Sequence, residues 1–412
     1  MSVKRIPPAF LALQHRNFRL LWLGQLVSFS GSMMQAAAIL WHVALLVPEE
    51  WKGLALGLVG LVRLVPVVAL SLVSGVVADA RDRRKLMLLT QSAMALVAAV
   101  LAVLTFRGLT VVWPIYVLTG VSAAVWSFDA PARHSLLPNL VPRAHLPNAI
   151  SLNAIMFQTA SVVGPSLGGI VIAGLGVGYV YAFNALSFLV VIASLALMRA
   201  LPPRAPGEAS EISLRAAADG LRFVFSAPLI RSTLLLDFFA TFFSSATALL
   251  PIFAQDILAV GPRGYGWLYA APSVGAMLTS AVMVRGVDRI EQRGRVLLWA
   301  VVAYGLATVA FGLSEYFWLT FLCLAATGAA DTVSMVLRNV VRQLETPDHL
   351  RGRMVGVSTV FFMGGPQLGQ LEAGLVANWL GAPVSVVSGG LGSLVATGWI
   401  ALRSPTLRRY RQ

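Results

Sequence analysis

Little in this chain is suited to face water. Charged residues fill 12% of its 412 positions, about half the share a soluble domain uses to cover its core. The single cysteine, Cys323, excludes an intramolecular disulfide and multi-thiolate metal or redox chemistry. No Gly-rich loop ending in Lys and Ser or Thr is present, which removes ATP as the energy source. No ligand-spaced metal cluster and no nucleophile constellation occurs either, so neither a cofactor nor an enzyme is expected. The N-terminal stretch with Lys4, Arg5, Pro7 and Pro8 lacks a signal-peptide cleavage pattern, and the first apolar span is expected to be retained. Acids are scarce too, with 17 Asp and Glu against 31 Lys and Arg and a net charge of +14.

What fills the sequence is apolar: 58% of residues are hydrophobic and the mean hydropathy is +0.79. Runs such as Leu54 to Val77, Leu86 to Phe106 and Leu297 to Leu313 have the roughly 20 residues that cross a bilayer as a helix. Such spans must be helical, because hydrocarbon offers backbone groups no partner. Twelve spans follow, at 18–46, 54–78, 86–106, 111–131, 148–174, 178–198, 228–255, 264–285, 295–314, 317–339, 354–379 and 384–402. Assigning the connections alternately to two sides leaves only Lys52, Arg63, Arg107 and Arg263 off the N-terminal side among the 31 basic residues. That bias is the positive-inside signal, and it puts both termini in the cytoplasm. The basic balance therefore reports topology and argues against nucleic acid as a partner.

The spans divide into halves, 1–198 and 228–412, joined by a cytoplasmic linker at 199–227 in which Leu214, Leu221 and Phe225 suggest a short surface helix. The halves look repeated at a shift just above 200 residues. Asp79 matches Asp288, Gly120 matches Gly328, and Pro142 to Leu146 matches Pro347 to Leu350; Gly164, Pro165 and Gly168 match Gly365, Pro366 and Gly369. A duplicated six-helix unit implies a central cavity where the halves meet.

The loop after the second span, Gly75-Val-Val-Ala-Asp79-Ala-Arg-Asp82-Arg83-Arg84-Lys85, resembles the loop signature of the major facilitator superfamily, with Ala80 and Asp82 at positions where Arg and Gly are usual. Pro131 to Pro138, Gly220 to Pro228, Gly266 to Pro272 and Leu350 to Arg353 narrow the resemblance to the branch containing the enterobactin exporter and macrolide-efflux proteins. The resemblance implies an all-α polytopic membrane protein with twelve transmembrane helices in two pseudo-symmetric bundles. It also implies that the loop cluster of Gly75, Asp79, Arg83 and Arg84 works as a gate. Gly164, Pro165, Gly168 and Gly169 in the fifth span resemble the motif of the family's drug/proton antiporters. Mechanically, glycines four apart allow close helix approach and proline frees a carbonyl, so packing alone also explains them.

Polar residues at helical spacing on spans 1, 4, 7 and 10 would be costly toward lipid and should line the cavity. They are Gln25, Ser28, Ser32 and Gln35, with His42 beyond; Ser122 and Trp126; Thr241 and Ser244; Ser334 and Arg338. Arg63, in the second span, needs a partner or an anionic substrate. Trp41, Phe242 and Phe243 offer flat apolar surfaces, whereas Trp51, Trp113 and Trp379 suit the interface. Asp237, Asp331, Glu372 and Asp129 are the proton-coupling candidates. Asp237 stands out, since its own helix offers no basic neighbour; Asp331 with Arg338 and Asp129 with Arg133 have the spacing of structural ion pairs. The expectation is a monomeric secondary transporter in the plasma (inner) membrane, exporting an amphipathic small molecule in exchange for protons. An importer or uniporter is the nearest rival, and a non-transporting receptor a more distant one.

Overall fold

A computed structural model of the chain describes residues 8–199, 221–347 and 350–411; within the helices some side chains, those of Asp79 and Asp288 among them, lie outside the described residues. Twelve long helices run in order: α1 (Arg16–Leu46), α2 (Lys52–Ala80), α3 (Arg83–Phe106), α4 (Trp113–Leu136), α5 (Leu146–Gly174), α6 (Val177–Ala196), α7 (Pro228–Phe243), α8 (Gly261–Gly286), α9 (Arg293–Gly312), α10 (Phe317–Glu345), α11 (Arg351–Leu380) and α12 (Ala382–Arg403). No strand occurs among the described residues. Ten of these segments are long and apolar enough to cross a membrane. The other two are α4 and α11, whose hydropathy is diluted by Asp129, Arg133 and His134 and by Gln367, Gln370 and Glu372. The chain is an all-α polytopic membrane protein, with large apolar side chains such as Leu96, Trp299 and Leu402 turned outward, as a lipid solvent requires.

Local signals explain several boundaries. Asp82 caps α3 by accepting a hydrogen bond from the Lys85 amide at 3.0 Å, which satisfies one of the orphan donors of the first turn. The turns before α6 and α12 are made by Gly176 and Gly381, at φ +97° and +88°; side chains rarely adopt this left-handed backbone, and glycine does so without penalty. The two turns hold corresponding places in the helix order, before the sixth and the twelfth long helix. So do the helix pairings, since α3 packs on α6 and α4 as α9 packs on α12 and α10.

The seventh span departs from an uninterrupted 228–255. Regular helix ends at Phe243, and a 3-10 turn (Ala246–Leu249), a short helix (Leu250–Ile252) and a π turn (Phe253–Ile257) continue it. The break lies where Gly369 and Gly389 approach the carbonyls of Phe242 and Phe243. Of the linker, residues 200–220, Leu214 among them, lie outside the described residues; 221–226 are helical, with Leu221 and Phe225 exposed and Val224 buried.

The chain forms two compact units. One holds residues 1–39 and 65–211, the other 40–64 and 212–412. In the first, Phe18, Leu21, Met87, Leu136, Leu152 and Leu195 are among the buried core residues. In the second, Leu236, Leu297, Val301, Leu337 and Ile400 are. The second unit also takes in the end of α1 and the first half of α2. There Trp41 packs on Tyr265 with ring centroids 5.0 Å apart, and Lys52 pairs with Asp256 at 3.1 Å. Cβ atoms on Gly53, Gly57 or Gly60 would run into the backbone of α11.

Candidate functional site

The second unit gathers four charges on α7 and α10. Arg338 Nη1 lies 3.0 Å from Asp237 Oδ1, and Arg342 Nη2 lies 3.3 Å from Asp237 Oδ2. Arg338 Nη2 also meets Asp331 Oδ1 at 3.3 Å. Asp331, Arg338 and Arg342 follow one another at helical spacing along α10, and α7 carries Asp237 against them. Two carboxylates face two guanidiniums, so the cluster balances to zero, as a buried charge group must. The alignment is imperfect: Asp237 Oδ1 and Arg338 Nη1 make no oriented hydrogen bond despite their short separation. Exposure separates the acids, with the Asp237 side chain 2% accessible and that of Asp331 39%. Beside Asp237 and the two arginines lies a cavity of about 230 Å³, lined by Asp237, Arg338, Asn339, Arg342, Met354 and Phe362 together with other α10 and α11 residues; Asp331 stands outside its lining.

Asp237 is thus not the isolated acid its own helix suggests. Its partners come from α10, and no spacing rule along α7 reports a neighbour more than a hundred residues away. Arg342, absent from the sequence-derived candidates, also reaches the Thr233 carbonyl and hydroxyl.

The first unit holds a different acid. Asp129 is buried and accepts from the Thr90 hydroxyl at 2.8 Å and the Gln91 amide at 2.9 Å. Arg133 stands 4.0 Å away and places its guanidinium 4.4 Å over the Phe29 ring, a cation–π seat. Gln25 and Arg133 border a small cavity with Trp22, His134 and Asn153. The Gln25 Nε2 buried there has no hydrogen-bond partner among the described residues.

The other candidates scatter. Gln35 receives a 2.8 Å hydrogen bond from Asn184 and is buried; it fastens α1 to α6 rather than lining a cavity. Trp41 is likewise a packing residue, 5% exposed. Ser28, Ser244 and Ser334 are buried, and Ser32, Ser122 and Trp126 half-buried. Thr241 bonds back to the Asp237 carbonyl at 2.8 Å. Arg63 finds a hydroxyl instead of an acid, hydrogen-bonding Tyr269. Glu372 is half-buried and forms no ion pair among the described residues. Of the loop cluster, Arg83 donates to the Ser135 carbonyl at the end of α4 at 2.6 Å and Arg84 to the Ala196 carbonyl at 3.0 Å. Gly75 is half-buried in α2, and the Asp79 side chain lies outside the described residues.

The glycine motifs share one geometry. Gly164 and Gly168 on α5 leave no room for a Cβ against Ser30, Met33 and Met34 of α1. Gly365 and Gly369 on α11 do the same against Thr241 and Phe242 of α7. Pro165 and Gly169 are buried in the same stretch of α5.

Comparison with known proteins agrees with this architecture. The family described as transmembrane secretion effector matches residues 8–410. The enterobactin exporter EntS of Escherichia coli O1:K1 is 27% identical over 402 residues, covering 97% of this chain and 94% of that protein. A bacterial homologue of the human lysosomal transporter Spinster shares the fold, with a TM-score of 0.73 at 14% identity over 96% of this chain and 98% of the other. A POT family transporter in complex with 5-aminolevulinic acid gives 0.72 at 10% identity over 95% and 96%. The chain therefore belongs to the transmembrane secretion effector family and is a major facilitator transporter.

Proposed function

We propose that the chain works by alternating access as a proton-coupled exporter of an amphipathic small molecule of siderophore, macrolide or drug type. On this reading it sits as a monomer in the inner membrane with both termini in the cytoplasm. The observation that carries the proposal is the Asp237–Arg338–Arg342–Asp331 cluster against its cavity. A proton on either acid leaves the cluster with an extra positive charge. A cationic or hydrogen-bond-donating ligand held by the acids is then expelled, so proton and ligand exclude one another, which is what exchange across a membrane needs. Asp331 is the better entry point for the proton, being the more accessible acid and having a single arginine partner. Asp237, held by two arginines, fixes the geometry. The 27% identity to the enterobactin exporter supports outward transport.

The two arginines on one wall favour a second reading. An anion bound to them would free a carboxylate to take up a proton, and the two would travel together. Proteoliposomes decide between them. Movement of siderophores, macrolides and dyes is followed with an imposed proton gradient of either sign, for the unmodified protein and for Asp331→Asn. Exchange predicts outward flux driven by an inward proton gradient, with the variant still equilibrating substrate but ignoring the gradient. Flux driven in the same direction as the protons establishes the second reading, and flux indifferent to the gradient in the unmodified protein overturns both.

A further inference from the structure

We infer that the second unit carries a binding site for the phosphate headgroup of an anionic phospholipid where the chain's last residues fold back on the start of α9. A cavity of about 340 Å³ is lined there by Gln292, Arg295, Arg408, Arg409, Tyr410 and Arg411. Four of the six lining residues are arginines and none is an acid. A solvated positive-inside surface needs no such concavity, and four guanidiniums around one hollow repel each other unless an anion sits among them.

The arginines are held in place rather than strung along a loose tail. Pro405–Arg408 forms a short helix, and Leu407 is completely buried in the core of the unit. The Gly294 amide donates to the Tyr410 carbonyl at 3.3 Å, and the Tyr410 hydroxyl donates to Glu345 Oε1 at 3.1 Å. Gly294 lies so close to the Leu407 carbonyl that no Cβ fits. Arg295 is oriented by Gln292, whose Oε1 accepts from its Nη1 at 3.0 Å. An anchored backbone with Arg295 oriented gathers planar guanidiniums of the kind that suit the bidentate recognition of phosphate.

Two apolar stripes point to a lipid as the source of that phosphate. On α9, Arg295 is followed one turn on by Trp299, 71% exposed, and then by Leu306, 55% exposed. On the neighbouring α12, Leu391, Val395, Trp399 and Leu402 recur at helical spacing and are all exposed. Each stripe runs toward the cavity and offers a bed for acyl chains. A headgroup phosphate among the arginines with its tails along these stripes satisfies both features, whereas free phosphate uses only the first. Basic pockets at the cytoplasmic ends of transmembrane helices suit such headgroups.

The test is native mass spectrometry of the delipidated full chain titrated with phosphatidylglycerol, phosphatidylcholine or inorganic phosphate. Phosphatidylglycerol should bind at low stoichiometry well ahead of phosphatidylcholine, and inorganic phosphate should not compete at equal concentration. Arg295→Gln and Arg409→Gln should each weaken that binding about fivefold, as expected for one interfacial arginine. Arg403→Gln, outside the lining, should leave it unchanged. Equal losses in all three variants would mean diffuse surface charge and overturn the proposal, as would binding of inorganic phosphate as tight as that of the lipid. Should the variants fail to fold, a headgroup photoprobe on the unmodified chain supplies the answer. Labelling within residues 292–295 and 408–411 supports the site, and labelling confined to other regions refutes it.

Discussion

Asp129 in the first unit and Asp237 in the second are both buried acids near arginine, yet their surroundings differ in kind. Asp129 receives two short hydrogen bonds from neutral donors, and its arginine is diverted onto an aromatic ring. Asp237 meets two guanidiniums, Arg342 through a 3.3 Å hydrogen bond and Arg338 at 3.0 Å without an aligned one, with an open cavity alongside. A satisfied carboxylate stabilises one arrangement, because any movement strips it of partners. A carboxylate in a neutral but loosely aligned charge cluster can exchange a partner for a proton or a ligand. Burial and a nearby arginine are common to both acids; an imperfectly aligned charge cluster open to a cavity is what sets Asp237 apart as the proposed coupling site.

The largest effect should come from removing the shared cation. Arg338→Leu leaves Asp237 and Asp331 short of a partner and should cost about 3–5 kcal/mol, visible as a large drop in melting temperature of the purified protein together with lost transport. Next come the glycine seams. Gly369→Ala on α11 pushes against the Phe242 backbone, which cannot give way, and should cost about 2–3 kcal/mol. Gly168→Ala on α5 meets mainly the flexible Met34 side chain at 2.9 Å and should cost about 1 kcal/mol or less. Equal losses would show that the two units tolerate overpacking alike. Asp129→Asn keeps a carbonyl oxygen for Thr90 and Gln91; it should lower stability by about 1 kcal/mol and leave the gradient dependence of flux intact. Flux in Asp129→Asn that ceased to follow the gradient would erase the difference between the two acids.

The smallest effect concerns the N-terminal segment, which is tied to the start of α5. The Ala12 amide donates to Asn148 at 2.9 Å, and His15 lies 2.8 Å from His145. Partial burial, and after it the charge of His145, hold His15 below the usual histidine value of 6.5. A depressed base binds fewer protons docked than free, so docking strengthens as pH rises and weakens as pH falls through that value. Protection of residues 8–14 against hydrogen exchange, taken relative to the intrinsic rate at each pH, should therefore fall modestly at acidic pH, and His15→Gln should abolish the difference.

Much of this was legible along the chain because lipid imposes length and composition on every span and topology imposes charge bias on the loops. The pairs that could be read, Asp331 with Arg338 and Asp129 with Arg133, lie on one helix, where spacing determines proximity. What stayed hidden runs between helices. Nothing in the spacing of α7 announces Arg338 and Arg342 as partners of Asp237, and nothing in α1 announces Asn184 as the partner of Gln35. The break after Phe243 lies against Gly369 and Gly389 of other segments, which the spacing along α7 does not report, although Pro251 just beyond it is a breaker the sequence does carry.

The row of Gly53, Gly57 and Gly60 lays half of α2 directly on the main chain of α11. Such a seam has few interlocking side chains, Gln370 beside Gly60 being one, so the alternating access proposed above would have few rotamers to turn over there. Its grip is short in range, and polar contacts at the start of α2 back it: the Leu54 amide donates to Asn378 Oδ1 of α11 at 3.4 Å, and Lys52 pairs with Asp256.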